Sequence, residues 1–71
     1  MALNWERPIS STSVREYAYD EDTGELHVRF HNGTVYKYNG LTPDDYDNFR
    51  NSPSKGSHVH NMARKHKYVK V

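Results

Sequence analysis

An adjacent serine and lysine, Ser54 and Lys55, are the residue types of a Ser–Lys nucleophilic pair. Neighbouring residues do not face one another on a helix, and a serine at a helix start more often caps the helix. The chain has no cysteine, and its serines, histidines and carboxylates show no spacing typical of a catalytic triad. The sequence therefore predicts a protein without enzymatic activity.

Metal binding is the second chemistry that the residue types allow. His58 and His60, with His27 and His31 earlier in the chain, could be zinc ligands. A two-residue spacing puts His58 and His60 on different faces of a helix, so we expect surface histidines. The segment 20–24 begins like a calcium loop, but His31 stands where the closing glutamate is required, and the glycine comes one position early. We predict a hairpin turn there, and neither a metal nor a cofactor.

The distribution of charge points to a third chemistry, the binding of phosphates. Residues 1–54 have five Lys/Arg and nine Asp/Glu, a balance of −4, whereas residues 55–71 have five Lys/Arg and no acid, a balance of +5. Such an asymmetry favours contact with nucleic acid, because each phosphate contact releases counterions. The candidate contacts are Lys55, Arg64, Lys65, Lys67 and Lys70, with Arg29 and Lys37 from the solvent face of a predicted sheet.

The elements that position these residues belong to one small domain. The chain has 71 residues, and its three Leu, one Ile and six Val leave much of the core to six Tyr, two Phe and one Trp. No apolar run approaches the ~20 residues of a membrane span, and the first residues lack the apolar core of a signal peptide. With no cysteine to form disulfides, we expect a cytoplasmic protein that does not contact membranes.

Alternation of apolar and polar residues predicts three strands, at about 14–19, 25–31 and 34–38. A two-residue turn at Asn32-Gly33 would pair Arg29 with Tyr36 and place Tyr36 and Tyr38 on the polar face. A three-residue loop with Gly33 as a left-handed bulge would pair Val28 with Tyr36 and bury both tyrosines. We favour the second register, because it makes the better core.

Helix signals follow the strands. Thr42 as a cap, Pro43 in the first turn and two acids after it predict a helix that ends near Asn51-Ser52-Pro53. A second helix should begin at Ser54 and reach about Lys65, and residues 66–71 would form a short strand or a frayed end. The predicted fold is α+β, a three-stranded antiparallel β-meander covered by one or two short C-terminal helices. Residues 1–10 would be a flexible lead-in, 11–68 the domain and 69–71 a tail. The predicted core is Leu26, Val28, Phe30, Tyr36, Tyr38, Leu41, Tyr46 and Phe49.

Three features in order resemble a known family. Gly33 to Tyr38 on a hairpin, the helix start at 41–43, and Ser54-Lys55-Gly56 before a basic end resemble the KTSC domain. That module is found at the carboxy terminus of some lysyl-tRNA synthetases and as a small stand-alone protein in bacteria and phages. The resemblance implies a small α+β fold without known catalysis, and the synthetase context suggests RNA binding. The sequence departs from the family pattern after Gly56, with His58, Val59, Met62 and Ala63 in the second helix.

Two binding functions remain open. The first is binding of RNA or single-stranded nucleic acid through the basic helix and tail, with Tyr68 stacking on bases, or Tyr36 and Tyr38 in the less favoured register. The second is a protein-interaction module, in which the edge strand 14–19 adds to the sheet of a larger bacterial or phage partner. Arg15 and Glu16 argue against the second function, because charged side chains on an edge strand hinder its pairing with a strand of another protein.

Overall fold

A computed structural model describes residues 4–8 and 13–71 of the chain. The elements in chain order are β1 (Val14–Asp20), β2 (Glu25–Phe30), β3 (Val35–Tyr38), α1 (Pro43–Arg50), α2 (Lys55–Lys65) and β4 (Tyr68–Lys70). They form one antiparallel sheet in the order β1-β2-β3-β4. The predicted α+β class and the meander are confirmed. The C-terminal segment adds a short fourth strand, so two residues of the predicted tail, Val69 and Lys70, belong to the sheet.

The hairpin between β2 and β3 has the three-residue loop. The Phe30 N–H donates to the Thr34 carbonyl at 2.9 Å, and the Gly33 N–H donates to the Phe30 carbonyl at 2.9 Å. Gly33 has a φ of +89°, a conformation that glycine adopts without a steric penalty. Val28 therefore lies opposite Tyr36, and Leu26 opposite Tyr38. The favoured register is confirmed, and the two tyrosines lie on the core side of the sheet.

The core lies between one face of the sheet and the two helices. All eight predicted core residues belong to it: five are buried, and Phe30, Tyr36 and Tyr46 are partly buried against them. The prediction missed Val14 and Tyr17, because a bulge between Val14 and Glu16 adds a residue to β1 and switches the face that points inward. It also missed Val59 and Met62, which bring α2 into the core.

Both helices begin with the caps expected from the sequence. In α1 the Thr42 hydroxyl accepts from the Asp45 N–H at 3.2 Å, and the Asp45 carboxylate accepts from the Thr42 N–H at 3.0 Å, a complete capping box. In α2 the Ser54 hydroxyl accepts from the Ser57 N–H. Ser54 is therefore a capping residue, which removes the observation that suggested a Ser–Lys pair.

Residues 4–8, part of the predicted lead-in, pack on the domain. The Glu6 N–H donates to the Tyr17 carbonyl at 2.7 Å, and the Tyr17 N–H donates to the Glu6 carbonyl at 2.9 Å, so this segment pairs with the outer edge of β1. The Tyr46 hydroxyl donates to the Glu6 carboxylate at 2.6 Å. Burial raises the pKa of Tyr46, and the hydrogen bond to Glu6 raises it further. One acidic side chain thus ties the N-terminal segment to α1.

Candidate nucleic-acid interface

The predicted phosphate contacts on the outer face of the sheet are engaged within the domain. Arg29 forms an ion pair with Glu16, and its guanidinium carbon lies 4.9 Å from the centre of the Trp5 ring. The Lys37 ammonium lies 3.2 Å from the Glu25 carboxylate. The hydrogen bond from Lys37 is the main reason why the pKa of Glu25 is lowered. Because both cations face carboxylates, this face has little positive charge to offer a phosphate.

Lys55 also has an internal role. Its ammonium donates to the carbonyls of Arg50 at 2.7 Å and Ser52 at 2.6 Å, and it lies 5.8 Å from the centre of the Phe49 ring. These carbonyls lie at and just beyond the last turn of α1, where backbone acceptors lack helical partners and a positive charge is favourable. Lys55 therefore joins the end of α1 to the start of α2.

The other four predicted cations form what we call the basic end, defined as Arg64, Lys65, Lys67 and Lys70. Arg64 and Lys65 lie in the last turn of α2, Lys67 follows the helix, and Lys70 lies in β4. All four are exposed. Within residues 4–8 and 13–71, the ion pairs join other cations to carboxylates and include none of these four. The structure thus leaves these four cations exposed and outside the close ion pairs of the described residues, although the charge of Lys65 helps to lower the pKa of Asp45.

Tyr68 is the aromatic residue of this region with an open ring. It is 48% exposed, and its ring packs against Tyr36 and Tyr38, at centroid distances of 5.7 and 5.5 Å. Because Lys70 pairs with Tyr36 and Tyr68 with Tyr38, Tyr68 and Lys70 lie on one face of the sheet. Tyr68 is therefore packed against two rings while about half of its surface stays exposed.

Tyr38 is unsuited to stacking. It is 3% exposed, and its burial raises the pKa of its hydroxyl to about 12. Tyr36 lies between the rings of Phe30 and Tyr68, at 5.8 and 5.7 Å. The register that would have presented both tyrosines to a ligand does not occur.

The histidines do not come together as a metal site. His58 is partly buried beside Phe49, with the ring centres 5.7 Å apart, whereas His60 is exposed. Burial lowers the pKa of His58, and the charge of Lys55 lowers it further, which favours a neutral imidazole. In the part of the chain that the structure describes, no group of three or more histidines and acids is placed to hold a metal ion.

A four-stranded antiparallel sheet, covered on one face by two helices and ending in exposed cations, defines a small α+β domain. The chain belongs to the KTSC family, since the sequence profile of the KTSC domain matches residues 10–68. Its fold matches the crystal structure of a KTSC domain protein from Yersinia pestis with a TM-score of 0.86 and 27% identity, covering 99% of each chain. It is also 29% identical over 51 residues to a lysine–tRNA ligase from Nostoc punctiforme. That match covers 72% of this chain and 9% of the ligase.

Among the residues that the structure describes, no helix is both long enough and apolar enough to span a membrane.

Proposed function

We propose that this domain is a binding module without catalysis, and that it binds RNA or single-stranded nucleic acid through the basic end and Tyr68. The observation that carries the proposal is that residues 64–70 combine four exposed cations with one half-exposed aromatic ring. Cations that follow a phosphate backbone, next to a ring on which a base can stack, are the usual elements of sequence-tolerant recognition. One relative is named as a lysine–tRNA ligase, and the RNA in that name favours RNA as the ligand. The absence of cysteine from the sequence favours a cytoplasmic setting.

The number of exposed cations in the basic end sets the expected salt dependence. Four contacts on a single strand predict a slope of log affinity against log salt of about −3, which means roughly a 50-fold loss between 50 and 200 mM salt. If Arg29, Lys37 and Lys55 also contacted phosphates, the slope would approach about −5. The measured slope therefore distinguishes binding through the basic end alone from binding through all seven cations predicted from the sequence.

Fluorescence anisotropy with a short labelled single-stranded RNA tests the proposal. Lys65→Gln and Lys67→Gln together should weaken binding and make the slope shallower by about 1.4. Tyr68→Ala should weaken binding about tenfold, because a stacked base contributes roughly 1–3 kcal/mol. Arg15→Gln is the matched control, since it removes an exposed cation from β1, away from the basic end. Absence of binding at low salt, or an equal loss in the Arg15 variant, would refute the proposal.

The alternative is a protein-interaction module that docks on a larger bacterial or phage partner through the edge of β1. The structure gives this alternative less support, because Glu6 already pairs with Tyr17 at that edge. A strand added by a partner would have to displace two backbone hydrogen bonds. Recovery of a reproducible protein partner by a variant that lacks residues 1–8, but not by the intact chain, would favour it.

A further inference from the structure

A small cleft beside the C-terminal end of α1 is lined by several cations. It holds about 350 Å³ and lies where residues 7–8 approach the segment that joins the two helices. Its polar lining consists of Arg7, Arg50, Lys55, Tyr17, Asn51 and Ser52. Three of these side chains are cations, and none of the described residues that line the cleft is a carboxylate.

The Lys55 ammonium is fixed before any ligand arrives. It donates to two carbonyls, of Arg50 and Ser52, at 2.7 and 2.6 Å. An ammonium has three N–H donors, so one remains for a ligand. A cation that is already held in place loses less side-chain entropy on binding than a free surface lysine does.

Arg50 and Arg7 differ in how far their charges are compensated. The Arg50 guanidinium lies 3.5 Å from the Glu6 carboxylate and 5.6 Å from the centre of the Tyr46 ring, two residues that line a neighbouring cleft, so its charge is largely compensated there. Arg7 is exposed, and the ion pairs found within the described residues do not include it. Its backbone position is set by its neighbour Glu6, which pairs with Tyr17 at the edge of β1.

The charges leave the cleft positive. The negative charge of Glu6 offsets the positive charge of Arg50. The C-terminal end of α1 offsets about half of the charge of Lys55, because a helix carries a charge of roughly −0.5 at that end. About one and a half positive charges then remain, close in size to the charge of about −1.5 to −2 on a phosphate monoester at neutral pH. Arginine forks and lysine ammonium groups are also the usual ligands of phosphate oxygens.

We infer that this cleft binds a phosphate group, with Arg7 and Lys55 as its principal donors. A volume of 350 Å³ is near the lower end for small-molecule sites, which suits a phosphate group whose attached organic part stays largely outside the cleft. The site is separate from the basic end, because Lys55 begins α2 and Lys65 ends it, about 15 Å away along the helix. The inference therefore stands even if the basic end binds no nucleic acid.

Titration of the full-length, ¹⁵N-labelled chain with inorganic phosphate at constant ionic strength tests this inference. Saturable amide shifts confined to the neighbourhood of Arg7, Asn51 and Ser52 are expected. Arg7→Gln should weaken the apparent affinity about tenfold, because it removes a charge-assisted contact. Arg64→Gln is the matched control and should leave the affinity for phosphate unchanged, since it lies in the basic end.

Shifts that spread over all basic surfaces, or that are weakened equally by the two substitutions, would overturn the inference. A melting curve for Arg7→Gln that matches the unsubstituted chain would show that the loss is not caused by unfolding. Adenosine 5′-monophosphate should shift the same amides, and adenosine should not; equal shifts with both would also overturn the inference. Comparing the monophosphate with a 5′-phosphorylated RNA fragment then distinguishes a free small molecule from the end of a strand as the source of the phosphate.

Discussion

Replacing Lys55 with methionine tests whether this lysine is structural. Methionine keeps an unbranched apolar side chain that can pack beside Phe49, but it removes the ammonium that bonds to the carbonyls of Arg50 and Ser52. Hydrogen bonds to charged groups contribute about 1.5–3 kcal/mol each when they are well buried. One of these two bonds is exposed and the other partly buried, so we assign about 1 kcal/mol to each.

The charge of Lys55 adds a further contribution of about 0.3–1 kcal/mol at the end of α1. We therefore expect the free energy of unfolding to fall by about 2–3 kcal/mol, a large part of the ~5–15 kcal/mol typical of a folded domain. For a chain of this size the loss corresponds to a decrease in melting temperature of roughly 10–20 °C.

Urea and thermal denaturation, followed by far-ultraviolet circular dichroism, measure this change. Lys65→Met is the matched control, because Lys65 is exposed and its substitution should alter the free energy of unfolding by less than about 0.5 kcal/mol. Below its melting temperature, the Lys55 variant should keep the same salt slope for RNA binding. Equal stabilities of the two variants would refute the structural role, and a shallower slope for Lys55→Met would show that Lys55 also contacts the RNA.

Three further predictions concern stability and can be measured by urea denaturation. Tyr46→Phe should cost about 1–2 kcal/mol, because it removes the hydrogen bond to Glu6, whereas Tyr68→Phe should change little; equal effects would contradict this. Gly33→Ala should cost about 1–2 kcal/mol although the site has open space, because the residue has a φ of +89°; an unchanged midpoint would contradict the assigned loop. The pKa of Asp45 is lowered in the folded chain, chiefly by the hydrogen bond that its carboxylate accepts from the backbone N–H at the N-cap of α1. The carboxylate therefore stabilises the fold at pH values above its pKa in the unfolded chain, and this stabilisation is lost as the pH falls through its pKa in the folded chain. The Asp45→Asn variant should therefore lose less stability on acidification than the unsubstituted chain, and parallel pH profiles would contradict this.

Local signals predicted most of the architecture. The turn residues around Gly33 and the few aliphatic side chains together favoured one hairpin register, and that register occurs. The helix starts followed from Thr42, Pro43 and Ser54, whose capping depends on residues only three positions away. Such features are predictable because the interacting groups are close in the sequence.

The roles of the cations were harder to predict, since they depend on distant contacts. Lys55 acts on α1, Arg29 pairs with Glu16 across two strands, and Lys37 pairs with Glu25. Placing these cations opposite their acids requires the sheet register, which the sequence supports but does not impose. The bonds of Glu6 with Tyr46 and Arg50 span 40 and 44 positions, and no local pattern indicates them.

The pairing of β4 with β3 has a consequence for the order in which the chain folds and opens. Asn39 and Lys67, where this pairing begins, are 28 positions apart, whereas β1, β2 and β3 are joined by short turns. Closing a longer loop costs more entropy, so we expect the meander to form first and β4 to attach last. With three exposed residues, β4 should also be the first strand to detach in the native state, and hydrogen exchange at Val69 should be faster than at Val28. Detachment would free Lys70 and Tyr68 from the sheet while the rest of the domain stays folded. Nucleic acid that binds only the attached strand would therefore slow amide hydrogen exchange in β4 more than in the other strands.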